Sequence, residues 1–379
     1  MIPITSQIDL LQLASGDNLS IQVYKFIGKQ PGKKVYIQSN LHGSEIVGNA
    51  VIHQLIEFLR ELDEDRITGE IWLVPVCNPL GTNQRSHFFS SGRFNSYDGR
   101  DWNRIFWDYE KDCEDLATFV KTQKNLGIKE VRKNFLEKQK AAFAKQLERI
   151  QKPSSVPYRD RYRYQLQSLC LDADFVIDIH SSSNQGIDYL YCFHGREESA
   201  KYFLLEYGIL MTEYDGNAFD EAFMKPWLAL EKQLTKLGKA IKFDLEAWTL
   251  ELGSGMQMNP ESVEVGVRGI KNYLAYKGIL TLAEYSVNYP ASTEIQLVRR
   301  DRIKNYYAIA GGMIQKRVPL KTSVKAGDRL YQLLSFNKSG DLPTAIDICA
   351  ETDGLVFDIS TNQSVNQGEY VLGILNFEL

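Results

Sequence analysis

His42 and Glu45 stand three positions apart in "SNLHGSEIVGNAVIHQL" (39–55), where a β-like run gives way to an amphipathic pattern. An imidazole and a carboxylate so spaced can reach one metal ion, and a hydrolytic zinc takes three such ligands and keeps one position for water. The pair alone reads equally as a turn whose acidic residue complements a helix N-terminus. "DFVIDIHSSS" (174–183) adds His180 at the end of an apolar strand, where a buried imidazole needs a partner. A shared metal, or a hydrogen bond to a neighbouring strand or turn, meets that need. Asp178 lies two residues back on the same side of the strand, placed to orient a ligand or to form a cap or salt bridge. In "WTLELGSG" (248–255), Glu251 ends a strand and is a candidate general base on water, whereas Glu246, in mid-strand, suits an ion pair. "SSGRFNSYDGRDWNRIF" (90–106) gathers arginines around a D-G turn. Guanidinium groups there bind carboxylates and stabilise oxyanions, or form surface salt bridges. His53, His87 and His194 lie off the apolar stripe or in polar loops and rank lower as ligands.

These residues need a frame. Four stretches, 33–40, 70–79, 174–183 and 243–253, read as buried strands. A helix is expected over 44–62, where Val47, Val51, Leu55, Phe58 and Leu62 recur at helical spacing. Apolar strands alternating with helices predict an α/β, largely parallel sheet covered on both faces, with ligands beyond the carboxyl ends of its strands. His42, Asn78, His180 and Glu251 lie at or just past such ends. The charged stretch from about 108 to 165, stopped by "PSSVP", reads as a solvated helical hairpin, with a lid or homo-oligomer contact as its second reading. After about residue 290, glycine-punctuated β runs appear. "LKTSVKAGDRLYQLL" (320–334) and "TNQSVNQGEYVLGIL" (361–375) share the pattern S-V-x-x-G-(D/E)-x-(L/V), an internal duplication that predicts a small β-sandwich.

Composition bounds the partners. The chain has 379 residues, enough for two compact domains, and mixed charges summing to −4, which announce no nucleic-acid surface. Its five cysteines, Cys77, Cys113, Cys170, Cys192 and Cys349, are widely spaced and read as reduced cytosolic thiols. No signal-like N-terminal run and no stretch of about 18 apolar residues occurs, so the expectation is a cytoplasmic protein with no membrane partner.

Five motifs in order, "NLHGSE", "VCNPLG", "GRFNSYDGRDWNRIF", "DIHSSS" and "LELGSG", resemble the succinylglutamate desuccinylase and aspartoacylase family, relatives of the zinc carboxypeptidases, over most of residues 33–255. The resemblance implies a mixed, mostly parallel sheet flanked by helices with a small C-terminal all-β barrel-sandwich domain. It implies one zinc ion per chain on His42, Glu45 and His180, with Glu251 as general base. Arg93 would polarise the scissile carbonyl, and Asn103 and Arg104 would hold a substrate carboxylate. Arg85 is a second arginine candidate, because the link from "NPLG" to Arg93 is longer than usual, and Trp102 stands where the family usually has Leu. The implied division is a hydrolase domain over 1–289, carrying the insertion, and a domain over 290–379 resembling a biotinyl or lipoyl module. "ETDG" (351–354) occupies the turn where a carrier would bear its lysine motif, so partial covering of the cleft fits better than a carrier role. The expected activity is zinc-dependent amide hydrolysis of an N-acyl amino acid. The alternatives are a metallocarboxypeptidase on short peptides and a non-catalytic metal-binding module, and Co(II) or Mn(II) could replace zinc.

Overall fold

Each of the four apolar runs contains a strand, and together with five others they build one sheet. The computed structural model describes residues 1–112, 115–152, 157–282 and 291–377. Numbered along the chain, the strands of the main sheet are β1 (Ile4–Gln12), β2 (Asn18–Ile27), β3 (Gln30–Ser39), β4 (Thr68–Val74), β5 (Phe175–Ser182), β6 (Tyr189–Phe193), β7 (Tyr207–Met211), β8 (Glu246–Ser254) and β9 (Gln296–Arg299). Their order is β1-β2-β4-β3-β5-β8-β6-β7-β9. The pairings β1/β2, β2/β4 and β8/β6 are antiparallel and the rest parallel, so the sheet is mixed with a parallel centre.

Side chains of a strand alternate between the two faces of its sheet. Val35, Ile37, Phe175, Ile177 and Ile179 therefore pack on one side, under α1 (Val47–Glu61) and the helix Pro260–Tyr276. Tyr36, Val176 and Ala247 pack on the other, against the helices Tyr158–Ser168 and Phe219–Lys236. Both faces are covered, as continuous apolar strands require. α1 buries Val47, Val51 and Leu55, the stripe anticipated for residues 44–62.

The stretch 108–165 departs from the expected solvated hairpin. Its helix Ile128–Gln151 buries Val131, Phe135, Phe143 and Ile150 in a core shared with Trp107, Trp227 and Leu230. Charged residues crowd its composition, yet Val131, Phe135, Phe143 and Ile150 fall on one apolar stripe and that stripe decides its packing. The "PSSVP" stop falls largely outside the described residues, which omit 153–156.

Beyond the main sheet, Ile303–Tyr307, Tyr370–Leu375, Gly354–Ile359 and Ser323–Val324 form one antiparallel sheet, and Thr344–Cys349, Arg329–Ser335, Gly312–Gln315 and Ser364–Val365 another. They enclose a core that includes Leu330, Tyr331, Val356 and Val371. The duplicated pattern makes the same turn twice. Gly327 and Gly368 have φ of 92° and 85°, and the acid that follows each accepts a hydrogen bond from the backbone N–H three residues before it. Two features cut across a division at 289/290. β9 lies past that point yet extends the main sheet, and Gln185–Gly186 pairs with Gly354–Ile359. The division itself falls outside the described residues, as 283–290 do. Among the described residues, no helix is long and apolar enough to cross a membrane.

Three glycines bring separate loops into backbone contact beside β3. A Cβ on Gly43 would lie 2.0 Å from the Gly81 carbonyl oxygen, and one on Gly92 would lie 1.8 Å from that same oxygen. The Gly43 N–H donates to the Gly92 carbonyl at 2.9 Å. "HGSE", "NPLG" and "SGR" each contribute one of these residues, which sets Arg93 next to the loop of His42. Gly92→Ala is expected to lower unfolding stability by about 1–3 kcal/mol, the usual cost of overpacking, measured as a lower midpoint in urea.

Candidate functional site

The loop after β3 delivers His42 and Glu45 into the cleft, and Asn40, with φ of 65°, turns the chain there. β5 and β8 are parallel neighbours in a register that sets His180 opposite Glu251. His42, Glu45 and His180 thereby offer three ligand atoms within 4.8 Å of one another, and all three residues are buried.

The ring orientations are held from both sides. Glu45 Oε1 lies 2.9 Å from His42 Nδ1, and Glu45 Oε2 lies 2.7 Å from His180 Nδ1. On the far sides, Asp101 Oδ1 lies 3.0 Å from His42 Nε2 and Asp178 Oδ2 lies 2.9 Å from His180 Nε2. Asp178 is braced in turn by the Gln38 amide, which donates at 3.0 Å, and Tyr36 donates to Gln38 at 2.8 Å. The contact of Asp178 with His180 serves the orienting reading and the ion-pair reading alike. An imidazole held by a carboxylate through its outer nitrogen, with its inner nitrogen turned to a shared point, has the arrangement of a metal ligand. The donor set, two imidazoles and a carboxylate, suits zinc.

Burial pulls His42 down, but the Glu45 carboxylate and the bond to Asp101 outweigh it and hold the imidazole above its ordinary value. His180 behaves alike, with burial overcome by Asp178 and Glu45, and is raised well above it. For Glu45, burial pushes upward while His42 and His180 prevail, leaving it well below the usual carboxylate range. Glu251 lacks such close partners. Burial pushes it up to about 7, and its Oε2 is buried without a hydrogen-bond partner among the described residues.

Arg93 reaches the same place from the "SGR" loop. It donates to Ser183 Oγ at 2.9 Å and lies 3.1 Å from Asp101 and 3.5 Å from Glu45. Asn103 accepts the Phe219 N–H at 2.8 Å through Oδ1, which leaves its amide nitrogen as the donor, and Arg104 bonds the Asn103 carbonyl at 2.6 Å. These residues line a cavity of about 940 Å³ that holds His42, Glu45, His180 and Glu251. Arg85 does not join them. It bonds the carbonyls of Thr82 and Gln84 and borders a separate, more apolar cavity. His53, His87 and His194 are exposed and lie outside the cleft, and Glu246 pairs with Lys277 at 2.6 Å.

Sequence reasoning passed over Asp101, Ser183, Tyr191 and Tyr370, which all touch the site. Asp101 and Ser183 sit inside "GRDWNR" and "HSSS", next to residues that were singled out, so adjacency was the available signal. Tyr191 and Tyr370 had none, since only tertiary packing brings them to the cleft.

The model of the succinylglutamate desuccinylase/aspartoacylase catalytic domain matches residues 31–277. Two crystal structures described under the same family are similar over nearly the whole chain. One, from Shewanella frigidimarina NCIMB 400, has a TM-score of 0.87 and 28% identity, covering 99% of this chain and 97% of its own. The other, from Shewanella amazonensis SB2B, has a TM-score of 0.85 and 29% identity, covering 98% of each. A curated relative, the N-alpha-acetyl-L-2,4-diaminobutyric acid deacetylase of Halomonas elongata, is 29% identical over 174 residues, 46% of this chain. The match spans 45% of that relative's length.

If Asp178 raises His180, Asp178→Asn should lower the titration midpoint of the His180 ring in metal-free protein. Proton NMR of the imidazole would measure it, and an unchanged midpoint would show that Glu45 alone sets the ring.

Proposed function

The chain belongs to the succinylglutamate desuccinylase/aspartoacylase family of hydrolytic deacylases, and on that premise we propose that it is a zinc-dependent amidohydrolase that deacylates a small N-acyl amino acid. The observation that carries this reading is the buried group His42, Glu45 and His180 with Glu251 beside it, its Oε2 without a hydrogen-bond partner among the described residues. The deacetylase relative, named for an N-acetylated amino acid, supports the substrate class. Glu369 and Tyr370, from the C-terminal β sheets, add to the walls of the cavity that holds the site. The C-terminal β sheets, which begin at Ile303 after β9, are proposed to act as the covering β unit.

His42, Glu45 and His180 would hold the ion, which when bound supplies Lewis-acid polarisation of the amide carbonyl and acidifies water. Asn103 and Arg104 bind the substrate carboxylate and so fix the amide in the cleft. Glu251 takes a proton from the attacking water and returns it to the leaving nitrogen. Arg93 donates to the oxygen on which charge develops, and Ser183 and Asp101 hold its guanidinium in place. Removing one such donor costs roughly 10²–10³ in kcat.

Metal content by plasma mass spectrometry is the first test. About one zinc per chain is expected, lost in His180→Ala and kept in Glu251→Gln, with hydrolysis of N-acyl amino acids abolished in both. An active Glu251→Gln protein would sink the mechanism. The pH profile is a second test. Burial raises Glu251 above its ordinary value of 4.5 to about 7, and its carboxylate is the working form. The rate should therefore climb with pH along an acidic limb, and a bound dication should draw that limb below about 7. A kcat/KM that fell from pH 5 to pH 7 would contradict the assignment.

A further inference from the structure

Resting on that hydrolase reading, we propose that Asp358 is a positioning residue for the reaction, bracing from the C-terminal β sheets the loop that carries Ser183 to Arg93 and Glu45. Asp358 is 7% exposed, and a buried carboxylate must find donors. Its side-chain oxygens find two of them outside its own sheet, besides Tyr370 within it. Ser182 Oγ donates to Oδ2, and Asn184 Nδ2 donates to Oδ1 at 3.4 Å. The same Ser182 hydroxyl accepts the Asn184 N–H at 3.0 Å, so it is fixed from both sides.

Four further observations set Asp358 to this task. The pairing of Gly354–Ile359 with Tyr370–Leu375 shifts register between Val356 and Asp358, and such an irregularity re-aims a side chain. The backbone joins the same two pieces, since Asp358 and Ile359 pair with Gly186 and Gln185, and the Ile187 N–H donates to Phe357 at 3.0 Å. Gly186 lets the loop fold back on Ser182, because a Cβ there would lie 2.9 Å from the Ser182 Cβ. The next residue along, Ser183, donates to Glu45 at 3.0 Å and accepts from Arg93 at 2.9 Å. A loop held at Ser182 and at Gln185–Gly186 has little freedom at Ser183, and misplacement by about 1 Å can cost on the order of 100-fold in rate.

The test uses the zinc-loaded full chain with Asp358→Asn, which keeps the volume, and Ser182→Ala, which cuts the same link from the other side. Both should retain zinc and speed hydrogen exchange about ten-fold in peptides covering 181–187. Both should lose about ten-fold or more in kcat with KM within about two-fold. In an Arg93→Ala background the loss from Asp358→Asn should shrink below about two-fold, because the two residues act in one chain of contacts. Unchanged exchange at 181–187, undiminished kcat, or an equal loss in the Arg93→Ala background would each overturn the proposal. A wild-type chain that binds zinc yet hydrolyses no N-acyl amino acid would instead overturn the hydrolase reading beneath it.

Discussion

One nearly buried carboxylate shared between two imidazoles is the constraint around which this molecule is built. Glu45 is 2% exposed and each of its oxygens faces a histidine nitrogen. Burying ionic groups is costly unless every one is paired. The pairing here extends outward to Asp101, Asp178 and Arg93. His42 and His180, both raised above their ordinary value, and Arg93 face the carboxylates of Glu45, Asp101 and Asp178. A metal ion on the inner imidazole nitrogens would stand in for protons that the same carboxylates favour.

The sheet converts this local requirement into geometry. Parallel neighbours β5 and β8 put a ligand and a candidate base side by side, and a slip of one residue would turn either to the opposite face. β3 supplies the adjacent loop. The backbone contact of Gly43, Gly81 and Gly92 holds three loops closer than any side chain allows. Glu251 is set apart electrostatically from Glu45. Both are carboxylates in one cleft, but Glu45 is held ionised by two histidines while burial keeps Glu251 ready to exchange a proton.

Much of this was legible in the chain. Strand cores, α1, the family and the cluster His42, Glu45 and His180 could be read because apolar runs, helical spacing and ordered motifs are local signals. The N-terminal strands β1 and β2, half exposed and mixed in composition, carried weaker signals and went unread. The insertion was misjudged as solvated because its charge count obscured an apolar stripe. Arg85 and Arg93 could not be told apart by spacing, and only the fold of the "SGR" loop onto "HGSE" separates them. Tyr370 reaches the cleft from nearly two hundred positions beyond His180, a juxtaposition with no local trace.

β9 carries a consequence for how the chain can be divided. It pairs in parallel with β7 along Tyr207–Leu210 and is followed directly by the segment leading into the C-terminal sheets. Trimming the polypeptide near residue 290 would strip the main sheet of its border and leave β7 with unpaired backbone groups, an invitation to intermolecular pairing. The smaller β unit is thus stitched to the larger part at the border strand as well as at the cleft, and the two would have to be inherited, expressed and engineered together.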